Sequence, residues 1–131
     1  MIILDTHVII WDALQPEKIS KKARKVIDRA NDSSEIIIAD ISLWEIAMLM
    51  KKKRLKVDAT YIEFISLIRA ANHYLIQAIT PEIADISVSL TSEVNLDPAD
   101  RLICATSLFR NVPLITADSN LINAKSIETI W

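Results

Sequence analysis

The chain has 131 residues and a net charge of −2; 51% of its residues are hydrophobic, and it contains no glycine and one cysteine. This composition excludes a disordered chain, and the length leads us to expect one domain over residues 1–131. The lone Cys104 excludes a disulfide within the chain, and the missing glycine excludes the glycine-rich loops that cradle phosphates.

The sequence shows no sign of membrane insertion or export. No hydrophobic run approaches the roughly 18 residues that span a bilayer. Met1 leads directly into the hydrophobic run Ile2–Leu4, without the basic stretch that opens a signal peptide. We therefore expect a cytoplasmic protein with no membrane partner.

The first half of the chain alternates between predicted strands and helices. A strand over Ile2–Leu4 precedes a short helix over Val8–Leu14, and Ser20 caps a second helix. The run Ile36–Ala39 is hydrophobic without alternation, which is typical of a strand buried on both faces of a parallel sheet. A helix over about Ser42–Lys52 follows it.

The second half continues this alternation. A helix is predicted over about Ala59–Ala71, and Thr80 and Asp97 each cap a further helix that begins with proline. Three more strands are predicted at Leu75–Ile79, Leu114–Thr116 and Ile127–Ile130. The pattern predicts an α/β fold with a mostly parallel sheet and helices on both of its faces.

Because glycine is absent, another residue must fill any left-handed turn position. Asparagine is the next most tolerant residue, and four asparagines lie where helical patterns end. We therefore expect any left-handed position to be filled by asparagine, aspartate or a strained residue, or to be absent, and the asparagines at helix ends are Asn31, Asn72, Asn95 and Asn111.

Four acidic residues fall at one edge of the predicted sheet. Asp5 and Asp118 follow strands, whereas Glu45 and Asp100 lie in the first turns of helices. The carboxyl ends of parallel strands and the N-termini of the following helices share an edge, where ligands bind. Carboxylates about 4 Å apart repel by about 4 kcal/mol at an effective dielectric constant of about 20. The sequence therefore predicts a site for Mg²⁺ or Mn²⁺, the hard cations that prefer oxygen ligands.

Each acid also has a structural interpretation. Glu45 lies three residues after Ser42, as in a capping box. Asp97 before Pro98 suits an N-cap, Asp100 would then favour the helix dipole, and Asp118 could cap a helix or lie in a loop. Asp5 is the hardest of the four to explain in this way, because it ends a hydrophobic strand.

The basic residues and the tryptophans give weaker indications of function. The basic run of Lys51, Lys52, Lys53 and Arg54 could hold a nucleic-acid backbone, or it could be the solvated end of a helix. The tryptophans, Trp11, Trp44 and Trp131, are interpreted as core or interface residues rather than as surfaces for stacking bases.

Four segments together resemble a known family. They are LDTHVIIW from Leu4, ISLWEIAML from Ile41, DPADRLICAT from Asp97 and LITAD from Leu114. In this order and spacing they resemble the PIN-domain nucleases, and among them the VapC-type toxins of type II toxin–antitoxin systems. The resemblance covers essentially the whole chain.

This resemblance implies a PIN-like three-layer α/β/α sandwich and a metal-dependent endoribonuclease that cleaves single-stranded or looped RNA. It also implies a homodimer and a cognate antitoxin. The family's four acidic positions, at which Mg²⁺ or Mn²⁺ is bound, would be occupied by Asp5, Glu45, Asp100 and Asp118. Auxiliary positions would be occupied by Thr6, Asp97 and Thr116. Relatives often have glycine in the turn at Lys53 and before the segment that holds Pro113, where this chain has none.

Two other functions are compatible with the sequence. The chain could be a catalytically inactive PIN-fold module that binds RNA or protein. It could also be a phosphatase or phospho-acceptor with Asp5 as the nucleophile. The second is disfavoured because no acid stands two residues after Asp5, and no lysine directly follows the strand at Leu114.

Overall fold

The computed structural model describes residues 1–95 and 97–131. The strands described form one parallel sheet, with the order β3-β2-β1-β4-β5. Its members are β1 (Ile2–Leu4), β2 (Ile36–Ala39), β3 (Tyr74–Gln77), β4 (Leu114–Ile115) and β5 (Thr129–Ile130). Strand β1 lies at the centre, where Ile3 pairs with Ile37 on one side and Leu114 on the other.

Helices pack against both faces of this sheet. In the described residues they are α1 (Thr6–Leu14), α2 (Lys21–Asp32), α3 (Asp40–Lys51), α4 (Tyr61–Ala71), α5 (Pro81–Ser89), α6 (Pro98–Arg110) and α7 (Ser119–Asn123). None of them combines the length and the hydrophobicity that a membrane crossing requires.

Successive residues of the strands point into two separate hydrophobic cores. Ile36 and Ile38 of β2 join the cluster formed with α1, α2 and α4, whereas Ile37 and Ala39 join the cluster formed with α6 and α7. Side chains alternate between the faces of a strand, so a run of four hydrophobic residues supplies both cores. The predicted α/β/α sandwich and the burial of β2 on both faces are thus confirmed.

Two helix boundaries differ from the sequence prediction in ways that matter for the site. Helix α1 begins at Thr6 rather than Val8, because the Asp5 side chain caps it. Helix α3 begins at Asp40 rather than Ser42, directly after β2. Ser42 is therefore the third residue of α3 and not its N-cap. The interpretation of Ser42 and Glu45 as a capping box is wrong.

Other differences are smaller. Strand β3 begins one residue earlier and ends two residues earlier than the predicted Leu75–Ile79. A 3₁₀ turn (Pro16–Lys18) and α7 were not predicted, because elements of three and five residues show no readable periodicity. Of the tryptophans, Trp11 and Trp131 pack against the first core, but Trp44 is exposed.

Three helices end in the same left-handed turn without glycine. Ser34, Lys53 and Asn111 have φ angles of 56°, 58° and 53°. In each turn the following amide donates back to a carbonyl five residues earlier, at 2.8–3.1 Å, as in a Schellman motif. Only Asn111 among the four asparagines adopts the left-handed conformation. Lys53 and Asn111 stand in the two turns where the resemblance implies glycine.

Candidate active site

Asp5 lies at the carboxyl end of β1 and is buried, with 6% of its surface exposed. Its Oδ1 accepts a hydrogen bond from the Thr6 amide at 2.7 Å, and its Oδ2 accepts one from the Thr116 hydroxyl at 2.7 Å. Burial raises the pKa of Asp5, and the Thr116 hydrogen bond and the nearby His7 oppose that rise. Each of these oxygens keeps a second lone pair, so Asp5 can still face a cation.

Glu45 lies one and a half turns into α3 and reaches towards the same strand end. Its Oε1 accepts a hydrogen bond from the Thr6 hydroxyl at 2.5 Å, and that hydroxyl also lies 2.9 Å from the Ser42 hydroxyl. Burial raises the pKa of Glu45, and repulsion from Asp100 and Asp5 adds to the rise. Thr6 therefore connects the first two acids of the site.

Asp97 and Asp100 belong to the start of α6. Asp97 is the N-cap, as predicted, and its Oδ1 accepts from the Asp100 amide at 3.0 Å. The Asp100 side chain accepts from the Asn95 amide group at 2.8 Å through Oδ2. Burial is the main cause that raises the pKa of Asp100 to about 6, and repulsion from Asp5, Asp97 and Asp118 contributes.

Asp118 lies three residues beyond β4 and caps α7. Its Oδ1 accepts from the Asn120 amide at 2.8 Å, and its own amide donates to the Thr116 hydroxyl at 3.1 Å. Thr116 thus fixes the loop that carries Asp118 while it also donates to Asp5. The capping interpretation of Asp118 is correct, and it is compatible with a second role.

These acids line one cavity of about 350 Å³ at the carboxyl edge of the sheet. Its walls are Asp5, His7, Trp11, Glu45, Asp97, Asp100, Ala117 and Asp118. The convergence of acids from four separate parts of the chain is therefore observed. His7 is exposed at the rim, where its ring lies 6.1 Å from that of Trp11.

Four of these carboxylates share one pattern of hydrogen bonds. In residues 1–95 and 97–131, four of the acids each have one oxygen held by a protein donor and one oxygen without a hydrogen-bond partner. The unpartnered oxygens are Glu45 Oε2, Asp97 Oδ2, Asp100 Oδ1 and Asp118 Oδ2. Such bonds fix the direction of a carboxylate and leave one oxygen for a ligand.

The donor set fits a small, hard cation. The acids offer only oxygen atoms, whereas nitrogen and sulfur ligands would favour zinc or copper. Within the described chain, no three of these groups are close enough together to enclose an ion directly. Magnesium usually keeps several water ligands and takes only one or two carboxylates directly, so a loose set of acids suits it.

The basic run does not join this cavity. Lys51, Lys52, Lys53 and Arg54 are exposed at the far end of α3, which begins at the acidic edge and runs away from it. Lys51 follows Glu45 by six residues, or about 9 Å along the helix axis. Lys53 lines a different groove with Lys56 and Asp58.

Two polar residues of the site were missed from the sequence. The side-chain amide of Asn95 donates to Asp100, and the backbone amide of Asn95 donates to Asn120 Oδ1 at 3.0 Å. Ser42 contacts Thr6, which is 36 residues away. Asn95 lies outside any periodic element, and Ser42 fitted the pattern of a helix cap, so nothing in the sequence pointed to either contact.

Arg101 braces the segment that carries Asn95. Its guanidinium donates to the carbonyls of Ser87, Leu90, Val94 and Asn95, at distances between 2.6 and 3.3 Å. These carbonyls belong to the end of α5 and the loop after it. The guanidinium thus satisfies carbonyls that the end of a helix leaves without partners.

The comparisons with known proteins agree with this geometry. The sequence model of the PIN domain family matches residues 2–126. The ribonuclease VapC22 of Mycobacterium tuberculosis is 33% identical over 132 residues, covering 99% of this chain and 98% of the relative.

Two solved structures share the fold. A chain of VapBC2 from Rickettsia felis, bound to a DNA fragment of its promoter, matches with a TM-score of 0.74 and 15% identity over 99% of this chain and 98% of that chain. A chain of DNA-bound VapBC from Salmonella typhimurium matches with a TM-score of 0.74 and 14% identity, over 98% and 96%. These structures support the fold, and the family match and the full-length relative show that this chain belongs to the PIN-domain family, in the branch of the VapC ribonucleases.

Proposed function

We propose that this chain is a metal-dependent endoribonuclease that cleaves single-stranded or looped RNA and acts as the toxin of a toxin–antitoxin pair. The observation that carries the proposal is the cavity in which Asp5, Glu45, Asp100 and Asp118 meet. The last three of these acids each have one oxygen without a hydrogen-bond partner among the described residues. A cavity with this much negative charge repels an RNA phosphate unless cations are bound between them.

The relatives support the remaining parts of the proposal. The full-length relative is named a ribonuclease, and the structural neighbours are named as VapBC complexes. We accordingly propose a cognate antitoxin as protein partner, a homodimer as the assembly and the cytoplasm as the location. We also propose that residues 1–131 form a single nuclease domain.

The proposed cofactor is Mg²⁺ or Mn²⁺, held by Asp5, Glu45, Asp100 and Asp118, with Asp97 in an auxiliary role. When bound, such ions supply a polarised water and stabilise negative charge on the phosphodiester and the leaving oxygen. The protein's own residues orient the carboxylate oxygens of these acids. Thr6 and Thr116 fix Asp5, Thr6 fixes Glu45, and Asn95 fixes Asp100.

Two of these acids and the basic run have distinct roles in the proposal. Asp5, the most buried acid, anchors the cation site at the end of β1. Glu45 accepts from Thr6 through one oxygen and orients the attacking water with the other. The basic run from Lys51 to Arg54 contacts the RNA backbone where the strand continues beyond the cavity, without reading its sequence.

The direct test of the proposed function compares RNA cleavage by the wild type and Asp5→Asn. The amide keeps the shape of the side chain but removes the negative charge, so we expect cleavage with Mg²⁺ or Mn²⁺ to fall by at least about 100-fold. EDTA should abolish wild-type cleavage, and added Mg²⁺ should restore it. A clean wild-type preparation that cleaves no RNA with either ion would instead support the inactive binding module.

Asp100→Asn separates catalytic from structural importance. The raised pKa of Asp100 means that folding favours its protonated form, so its charge destabilises the metal-free protein as the pH rises from about 4 through 6. At pH 7.5 the variant should lose cleavage yet be more stable than the wild type without metal, by about 1 kcal/mol after allowance for solvent screening.

Urea unfolding in EDTA at pH 4 and pH 7.5 measures this difference. The gain in stability should be present at pH 7.5 and small at pH 4, where Asp100 of the wild type is protonated. Unfolding of Asp100→Asn at both pH values would show that Asp100 is needed for the fold instead.

Asn95→Asp tests whether the Asn95 amide aims the Asp100 carboxylate. The substitution keeps the oxygen that accepts from the Asp97 amide at 2.9 Å but replaces the donor to Asp100 by a repelling oxygen. We expect the Mg²⁺ concentration for half-maximal cleavage to rise by about tenfold, because the loss of a residue that orients a metal ligand usually weakens metal binding by about that factor.

Ser92→Asp is the matched control, because it adds the same charge to an exposed position of the same loop. If both variants shift the Mg²⁺ requirement equally, the effect is one of net charge and the aiming role of Asn95 is wrong.

A further inference from the structure

A hydrophobic groove adjoins the acidic cavity and plays no part in the proposed metal site. It has a volume of about 390 Å³ and lies between the first three turns of α3 and the start of α6. Its walls are Ile41, Trp44, Glu45, Met48, Asp97, Pro98 and Ala99. Glu45 and Asp97 also line the acidic cavity, so the two spaces share a wall.

The floor of the groove is one stripe of helix α3. Ile41, Trp44 and Met48 stand three and four residues apart, a spacing that places them side by side on the helix surface. Trp44 is 56% exposed, although tryptophan is on average a well-buried residue. Its neighbour in sequence, Glu45, faces the acidic cavity. A large aromatic surface therefore stands open directly beside the proposed reaction centre.

We propose that this groove binds a nucleobase of the RNA, stacked on Trp44, next to the phosphate that is cleaved. The inference rests on the proposed function and specifies how its substrate is held. If the phosphate lies at the four acids, the neighbouring nucleotide must leave the cavity over one of its walls, and this wall opens onto an aromatic surface. Single-stranded RNA is recognised by stacking its bases on aromatic side chains.

The charges of the groove select the base rather than the phosphate of that nucleotide. Among the described residues that line it, Glu45 and Asp97 are the charged ones, and both would repel a phosphate. A base is neutral, and its hydrophobic faces match Ile41, Met48 and Pro98. The volume falls within the range of about 300–1,000 Å³ that is usual for small-ligand sites.

The test uses an unstructured 20-nucleotide RNA whose cleavage site has first been mapped with the wild type. In Trp44→Ala we expect kcat/KM to fall by about 10-fold, since stacking contributes about 1–3 kcal/mol per base. Trp44→Phe, which keeps an aromatic ring, should stay within about threefold of the wild type. Ile62→Ala is the control, because Ile62 is an exposed hydrophobic residue of α4 that lines neither cavity nor groove.

A second substrate identifies the base. When the nucleotide on one side of the cleaved bond is made abasic, the wild type and Trp44→Ala should cleave that RNA equally well. Equal cleavage of the intact RNA by all variants would overturn the proposal. So would a loss of activity in Trp44→Ala that accompanies a change in oligomeric mass, since the groove would then bind a second copy of the chain.

Binding, measured separately, distinguishes failure of this inference from failure of the proposed function. The binding of labelled RNA in Mg²⁺ is measured by fluorescence anisotropy for Asp5→Asn and for the double variant Asp5→Asn/Trp44→Ala. The double variant should bind the RNA more weakly. If the wild type cleaves nothing but this binding difference persists, the proposed nuclease activity is wrong and the base site stands. Unchanged binding together with normal wild-type cleavage would overturn the base site alone.

Discussion

The buried carboxylate of Asp5 is the constraint on which the rest of the site depends. It caps α1 through the Thr6 amide and accepts from Thr116 beyond β4, so it joins the ends of two neighbouring strands. The Thr6 hydroxyl extends the same network to Glu45 on α3. One acid thereby fixes where three separate segments of the chain meet. Its removal would affect the geometry of the site as well as its charge.

The site keeps these negative charges close together at a cost to the metal-free protein. The pKa values of Asp5, Glu45 and Asp100 are all raised, with burial as the main cause in each case. A hydrogen-bonded carboxylate that faces other carboxylates is stabilised by a bound cation, because the cation offsets both burial and repulsion. The same features that weaken the metal-free fold would be offset by the proposed Mg²⁺ or Mn²⁺.

The sequence predicted the architecture because its signals are local and repeated. The hydrophobic run Ile36–Ala39 indicated a strand buried on both faces, and the caps Ser20, Thr80 and Asp97 were placed correctly. The edge at which the acids meet followed from the parallel sheet. Left-handed turns were less predictable, since Ser34 and Lys53 adopt a conformation that their residue types do not favour.

The contacts within the site could not be predicted, because they join residues far apart in the chain. The capping box at Ser42 fitted the local pattern. Because α3 begins at Asp40, the side chains of Ser42 and Glu45 instead form hydrogen bonds with Thr6. The exposure of Trp44 likewise depends on how helices α3 and α6 approach each other. The bond from Asn95 to Asp100 is local, but no motif spacing indicates it. Local patterns specify elements, whereas these contacts arise from packing.

The most direct test of the account is where a divalent cation binds. In a crystal soaked with MnCl₂, anomalous diffraction should place manganese in the cavity, with at least one oxygen of Asp5, Asp100 or Asp118 within about 2.0–2.3 Å of the ion. The same soak of Asp5→Asn crystals should give a much weaker peak. A wild-type cavity without manganese, or manganese bound only outside it, would contradict the claim that these acids form a cation site.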